Sequence, residues 1–261
     1  MMKASIIICT YNEDKTIADV VLTCCKLNPD CEIIVVDDGS SDNTENILNE
    51  LSKRYSFRYE RLKKNMGKSW AMAHGVEISE NDIILFFDAD VSNIMKEHFD
   101  EILKPIIEKT ADMVLGQPSE TLIDYHINPF KALTGERALL RKDIMPILNE
   151  IRDIRFGVET FLNLYYQAQG KRINYVLLKG LIHPSTYEKS GSVSIATKKY
   201  LDEGKEIAIT LMNNQDLINQ RVKNLISNSN DNAKKKINLL QNDINKKLQD
   251  FKTKVDKFLE E

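Results

Sequence analysis

Two carboxylates one residue apart, Asp88 and Asp90, follow the apolar run Ile83-Ile84-Leu85-Phe86-Phe87 with only the small Ala89 between them. A buried strand ending in such a pair delivers both carboxylates to one sharp turn, and Mg2+ or Mn2+ takes oxygen ligands of this kind together with phosphate. A solvated turn is also rich in Asp, so the pair gains its weight from its companions. Asp37-Asp38-Gly39-Ser40-Ser41-Asp42 ends another apolar run. Helix capping accounts for its last four residues but not for two adjacent carboxylates, one of which suits a base or ribose. Asn65-Met66-Gly67-Lys68 opens a helix, where free backbone N–H groups and a cation can meet phosphate. Tyr11-Asn12-Glu13 follows the first apolar run.

The elements that must position these residues are legible as an alternation. Apolar runs at 5–9, 31–36 and 83–87 and a strand at 57–60 alternate with helical patterns at 13–26, 42–51 and 68–78. Continuous apolar strands separated by helices indicate a mostly parallel sheet covered on both faces. Ligands of such sheets bind beyond the carboxyl ends of the strands, and the acidic segments fall there. Farther along, the pattern predicts a strand at 113–116, irregular chain at 118–129, helices at 138–149 and 158–169, and a strand at 172–178 leading to Leu181-Ile182-His183-Pro184.

Composition narrows the class. The 261 residues are 42% hydrophobic, with 36 basic and 39 acidic side chains and a net charge of −3, so no basic field favours nucleic acid. The four cysteines, Cys9, Cys24, Cys25 and Cys31, lack CxxC spacing and read as reduced core residues of a cytoplasmic protein. The apolar runs are too short to span a bilayer, which takes about 20 residues.

In this order and spacing, Tyr11-Asn12-Glu13, the Asp37–Asp42 block, Asn65-Met66-Gly67-Lys68 and Asp88-Ala89-Asp90 resemble the family 2 glycosyltransferases and their GT-A relatives over residues 3–92. The resemblance implies a GT-A α/β fold, a Rossmann-like mostly parallel sheet flanked by helices. It implies that Cys9, Tyr11, Glu13 and Asp38 frame a nucleoside, that Lys68 sits near base or phosphates, and that Asp88, Ala89 and Asp90 serve ribose, Mg2+ or Mn2+ and diphosphate. Cys9 stands where the family often has proline, and Ser69 replaces a usual glycine.

The second half adds Thr134-Gly135-Glu136-Arg137, Phe156-Gly157-Val158-Glu159-Thr160 and Gly180-Leu181-Ile182-His183. These are similar to glucosyl-3-phosphoglycerate synthases and, more loosely, to polyprenyl-phosphate hexose synthases. That similarity implies His183 in the metal shell beside Asp90, Glu159 as the catalytic carboxylate beside the acceptor hydroxyl, and the run from Gly135 through Glu136 to Arg137 lining an acceptor pocket. Arg137 and Arg141, four apart on the predicted helix, would suit an acidic acceptor. The segment 118–133 lacks the Gly-, Arg- and Thr-bearing cluster of the phosphoglycerate synthases. The first resemblance implies inversion of the anomeric centre and the second retention.

The expected activity is therefore transfer of a hexose from a UDP- or GDP-sugar to an acceptor hydroxyl or phosphate, on a phosphoglycerate-like small acid or a polyprenyl phosphate. A nucleotidyltransferase would carry an early Gly-rich basic loop, which residues 9–15 lack, and a non-catalytic nucleotide-sugar-binding protein is the other rival. The catalytic domain is expected at 1–185. Residues 186–261 are expected to form a helical extension, broken around 227–232, whose stripe Ile237, Leu240, Ile244, Leu248, Phe251, Val255 and Phe258 faces a partner. A homodimer or packing onto the catalytic domain is the expected use of this stripe. The basic cluster at 234–236 offers peripheral membrane contact as the rival.

Overall fold

In the first strand, β1 (Ala4–Thr10), the successive residues Ile6, Ile7 and Ile8 are all fully buried, which requires cover on both faces of the sheet. Ile6 and Ile8 point to one side, against Ile17, Val20 and Cys24 of α1 (Ile17–Leu27) and Phe99 and Ile102 of α4 (Lys96–Ile107). Ile7 points to the other, against Met72 and Val76 of α3 (Lys68–Ile78), Ile151 of α6 (Leu148–Asp153) and Phe161 and Leu162 of α7 (Val158–Ala168). Each such isoleucine contributes about 1.5–3 kcal/mol. The two apolar layers and the sheet between them form one core.

The computed structural model describes residues 3–118, 134–154, 157–183, 205, 209–227 and 253. Its remaining strands and α-helices are β2 (Glu32–Asp37), α2 (Thr44–Ser52), β3 (Arg58–Arg61), β4 (Ile83–Asp88), β5 (Met113–Pro118), β6 (Arg137–Leu140), α5 (Arg141–Ile144), β7 (Ile173–Leu178) and α8 (Gln215–Ser227), with a 3-10 turn at Met145–Ile147. The seven strands form one sheet in the order β3-β2-β1-β4-β6-β5-β7. Every pair is parallel except those of β6, which runs antiparallel to both β4 and β5. The start of β6 therefore lies at the edge where the parallel strands end.

The predicted helix at 138–149 is corrected: Arg137–Leu140 is a strand, and helix begins only at Arg141. Ala138 and Leu139 favour helix intrinsically, but here they pair with Leu85 and Ile84 on one side and with Val114 and Met113 on the other, and this two-sided pairing prevails. No element was expected at α4, although Phe99, Ile102, Leu103 and Ile106 carry a helical stripe. The first helix begins at Ile17 rather than at residue 13, and residues 13–16 form turns closed by Thr16 N–H and Ile17 N–H on the Glu13 carbonyl.

Helix α8 lies on α7, with Asn224 Nδ2 donating to the Ala168 carbonyl at 2.8 Å and Leu217 packed against the core. The predicted irregular chain beyond Pro118 and the basic cluster at 234–236 lie outside the described residues, as does the stripe at 237–258. All four cysteines are free, and of these only Cys24 is in the core. Among the described residues no helix is long and apolar enough to cross a membrane.

Candidate active site

The rim begins where β1, β2 and β4 end side by side, with Thr10 paired to Asp37 and Cys9 to Asp88. Its loops are laced to one another. Asn12 N–H donates to Ser40 Oγ at 2.9 Å, and Ser41 N–H donates to Asn12 Oδ1 at 2.8 Å. Buried Asp37 accepts from Ser40 N–H at 2.8 Å and from Tyr59 Oη at 3.2 Å, which makes it a brace. Asp38 accepts from Met66 N–H at 2.7 Å and Gly67 N–H at 2.8 Å, so its carboxylate satisfies amides at the entrance to α3, as a helix N-terminus favours.

A cleft of about 370 Å³ opens between these loops. Cys9, Tyr11, Glu13, Asp38, Lys68, Asp88 and Ala89, the seven residues expected around a nucleotide, all line it, and so does Asp90. Tyr11 stands at the mouth with 45% of its surface exposed. Burial is the main reason that the Cys9 thiol is raised to about 12, and Lys68 only partly opposes it. The thiol is therefore a neutral wall of the cleft.

The charged groups meet at one end. Lys68 Nζ lies 3.0 Å from Asp88 Oδ1 and 3.0 Å from Glu159 Oε1. Burial disfavours its charge, but the two carboxylates outweigh burial and hold the ammonium well above its usual pKa, even though 41% of the side chain reaches solvent. Burial likewise works against ionised Glu159, yet Lys68 and then Arg137 bring it below the usual carboxylate value. Glu159 stands in the first turn of α7, whose N-terminus favours an anion.

Glu136, immediately before β6, is fully buried and accepts from Thr134 Oγ1 at 2.8 Å. Its Oε2 lies 3.1 Å from His183 Nε2. Burial would lower the His183 pKa, but Glu136, with Asp88 and Asp90 behind it, raises it to about 9. Asp88, Glu136 and His183 each bring a ligand atom within 4.8 Å of the others. Asp90, which the sequence reading paired with His183, lines the cleft beside this group but is not one of the three.

Glu136 was expected only within the acceptor-pocket run from Gly135 to Arg137, not as a partner of Asp88 and His183. The antiparallel course of β6 returns its leading residues to the rim, and a sequence read as helix hides that. Gly135 is pressed against Asp88, so that an added Cβ would overlap both carboxylate oxygens. Arg137, expected on the wall of an acceptor pocket, is corrected: its side chain is fully buried. It donates to the Thr134 carbonyl at 2.7 Å and, at 3.4 Å each, to the Glu159 carbonyl and Asn163 Oδ1. Arg141 is not its helical neighbour but opens α5 and donates to Ser79 Oγ at 3.2 Å.

The cluster suits a divalent cation. Glu136 Oε1 is buried with no hydrogen-bond partner among the described residues, a costly state for a carboxylate oxygen that a cation would relieve. Two carboxylates and an imidazole are a donor set that Mn2+ or Mg2+ accepts.

Residues 5–141 match the family model described as Glycosyl transferase family 2. Poly-beta-1,6-N-acetyl-D-glucosamine synthase of Staphylococcus epidermidis is 36% identical over 155 residues, 59% of this chain and 32% of the relative. Dolichol-phosphate mannosyltransferase of Pyrococcus furiosus is 29% identical over 188 residues, 69% of this chain and 51% of the relative. This chain thus spans a third to a half of these relatives. Among solved structures, glucosyl-3-phosphoglycerate synthase from Mycobacterium tuberculosis, in complex with Mn2+, UDP and phosphoglyceric acid, superposes with a TM-score of 0.64 over 81% of this chain and 78% of its own, at 18% identity. That likeness is one of fold, and it is the GT-A fold that the sequence implied.

Proposed function

The chain belongs to glycosyl transferase family 2, and from that premise we propose that it transfers a hexose from a nucleoside diphosphate sugar to an acceptor hydroxyl or phosphate. The observation that carries the reading is that all seven residues expected around a nucleotide line one cleft, and that two of them, Lys68 and Asp88, join it to a triad with Glu159 and a cluster with Glu136 and His183. UDP is the proposed nucleotide, supported by the complex named for the mycobacterial synthase. A phosphate-bearing acceptor, a small acid or a lipid phosphate, is supported by the names of that synthase and of the archaeal mannosyltransferase. Residues 1–185 form the proposed catalytic unit and 186–261 its helical extension, of which α8 covers α7.

Each residue has a task in this reading. Tyr11 offers a ring face to the base, and Asp38 and Glu13 close the nucleoside end. Asp90 and His183, with Asp88 and Glu136 beside them, hold Mg2+ or Mn2+, which supplies positive charge to the departing diphosphate when bound. Lys68 stays protonated and faces the same phosphates. Glu159 takes the acceptor proton. While Lys68 contacts it, Glu159 is a weak base; once the ammonium turns to the diphosphate, the largest influence lowering its pKa recedes and it becomes a better one. Donor binding thus prepares the base.

The test is a thermal-shift panel of UDP, GDP, CDP, ADP and their common sugars, with and without Mn2+, because a ligand specific to the folded state raises its melting temperature. A Mn2+-dependent shift with UDP and UDP-sugars is expected. No shift with any nucleotide would remove the reading.

A further inference from the structure

Asp90 leaves β4 and His183 follows β7, yet β6 and β5 lie between these strands in the sheet. Both strands end at the same rim, but with two strands between them and about 4.8 Å per step, sheet pairing alone leaves the two side chains well apart along it. A separate clip spans that gap. Ser92 N–H donates to the Ile182 carbonyl at 2.9 Å and Ile182 N–H to the Ser92 carbonyl at 3.1 Å, a two-way bridge joining the residues just after Asp90 to the one just before His183. Asn93 holds a left-handed backbone, with φ of 55°, and from there its Nδ2 donates to the Gly180 carbonyl at 2.7 Å. Asn is one of the few non-glycine residues suited to that conformation. Gly180 has φ of 82°, and a Cβ there would lie 3.2 Å from Asn93 Nδ2, so both sides of this contact are tightly specified.

His98 is the third link. It is buried, and its Nδ1 accepts from Met95 N–H at 3.2 Å, so the ring proton sits on Nε2, which lies 2.9 Å from the Lys179 carbonyl and donates to it. The ring thus caps α4 with one nitrogen and holds the His183 segment with the other. Leu181, between the tethered carbonyls, is fully buried and anchors the same segment.

We propose that Asn93 and His98 are positioning residues for the cation site: through the carbonyls of Gly180 and Lys179 they fix His183 against the Asp90 turn. The proposal rests on the function proposed above. It differs from ordinary helix capping in what it predicts for two substitutions. His98→Gln keeps an acceptor for Met95 N–H, since Gln at this third helical position reaches back to the cap, but loses the ring donor to Lys179. Asn93→Gly keeps the left-handed backbone and loses only the side-chain bond.

The experiment measures free Mn2+ by electron paramagnetic resonance during titration of the full chain with UDP present, and amide exchange of Ile182 by mass spectrometry. In both variants we expect Mn2+ to bind about tenfold more weakly, as for other groups that support a metal ligand. Turnover should recover at saturating Mn2+, and Ile182 should exchange faster. Wild-type Mn2+ affinity in both variants would overturn the proposal, with His98 then serving α4 alone. If the wild-type chain binds no Mn2+ with UDP, it is the functional reading that falls. Ile182 exchange then judges the clip by itself: faster exchange in both variants upholds it and unchanged exchange overturns it.

Discussion

Gly135→Ala isolates the closest approach in the site. Phe86 pairs with Arg137 across β4 and β6, so continuing the register by two residues on each strand sets Gly135 opposite Asp88. The backbone of Gly135 is not in the left-handed region, so an alanine there meets no torsional objection, only the Asp88 carboxylate, whose two oxygens its Cβ would overlap. Asp88 would have to rotate away from Lys68 Nζ, now 3.0 Å distant, and out of its cluster with Glu136 and His183. Overpacking of this kind costs about 1–3 kcal/mol. If the displaced carboxylate serves the cation, Mn2+-dependent UDP binding should weaken by about ten- to a hundredfold. Calorimetric titration reads the second effect and urea denaturation the first. Repeating the substitution on an Asp88→Ala background supplies the internal control. There the clash is gone, and the methyl should instead stabilise by about 0.4–1 kcal/mol by restricting the unfolded chain. An equal destabilisation in both backgrounds, or undiminished Mn2+-dependent binding by Gly135→Ala, would refute the reasoning.

Three further outcomes follow from the geometry. Arg137→Met should lower stability by about 3 kcal/mol in urea, because it strands the Thr134 and Glu159 carbonyls and leaves the neighbouring carboxylates uncompensated; a loss below about 1 kcal/mol would contradict the role of a buried pin. Lys68→Met should raise the Glu159 pKa, read by carbon NMR of its carboxyl, because Lys68 is the strongest influence lowering it. Asp112 is held below the usual carboxylate range mainly by Arg172, whose Nε and Nη2 both donate to it at 3.1 Å. A lowered folded pKa gives stability that is present above the unfolded value of about 3.9 and is lost as pH falls through the folded one. Asp112→Asn should therefore cost about 1 kcal/mol at pH 7 and progressively less on acidification below about pH 4, followed by chemical denaturation across pH.

The first half of the fold could be read from the chain because its signals are local. β1, β2 and β4 are runs of β-branched and aromatic residues that are buried on both faces, and their polar ends mark the rim directly. Helix α3 begins and ends where its pattern does, after Gly67 and at Ile78. β6 could not be read this way. Its three apolar residues after Arg137 carry no period, and only pairing with β4 and β5, distant in sequence, makes them a strand. That one error hid two site features. It set Arg137 on a helix face with Arg141, whereas the strand buries it beneath Glu159, and it hid the return of Glu136 to the rim. The clip at Asn93 and His98 was also out of reach, since its partners are backbone carbonyls at 179 and 180 that have no side-chain signature.

The central claim is that this cleft binds a nucleoside diphosphate through a divalent cation that Asp90 helps to hold, and its most direct test is the affinity of UDP for the wild-type chain and for Asp90→Ala, each with Mn2+ and with EDTA. We predict tight binding by the wild-type chain with Mn2+, a large loss in EDTA, and weak, Mn2+-independent binding by a folded Asp90→Ala. UDP binding that is equal in Mn2+ and EDTA, or Mn2+-dependent binding retained by Asp90→Ala, would contradict it.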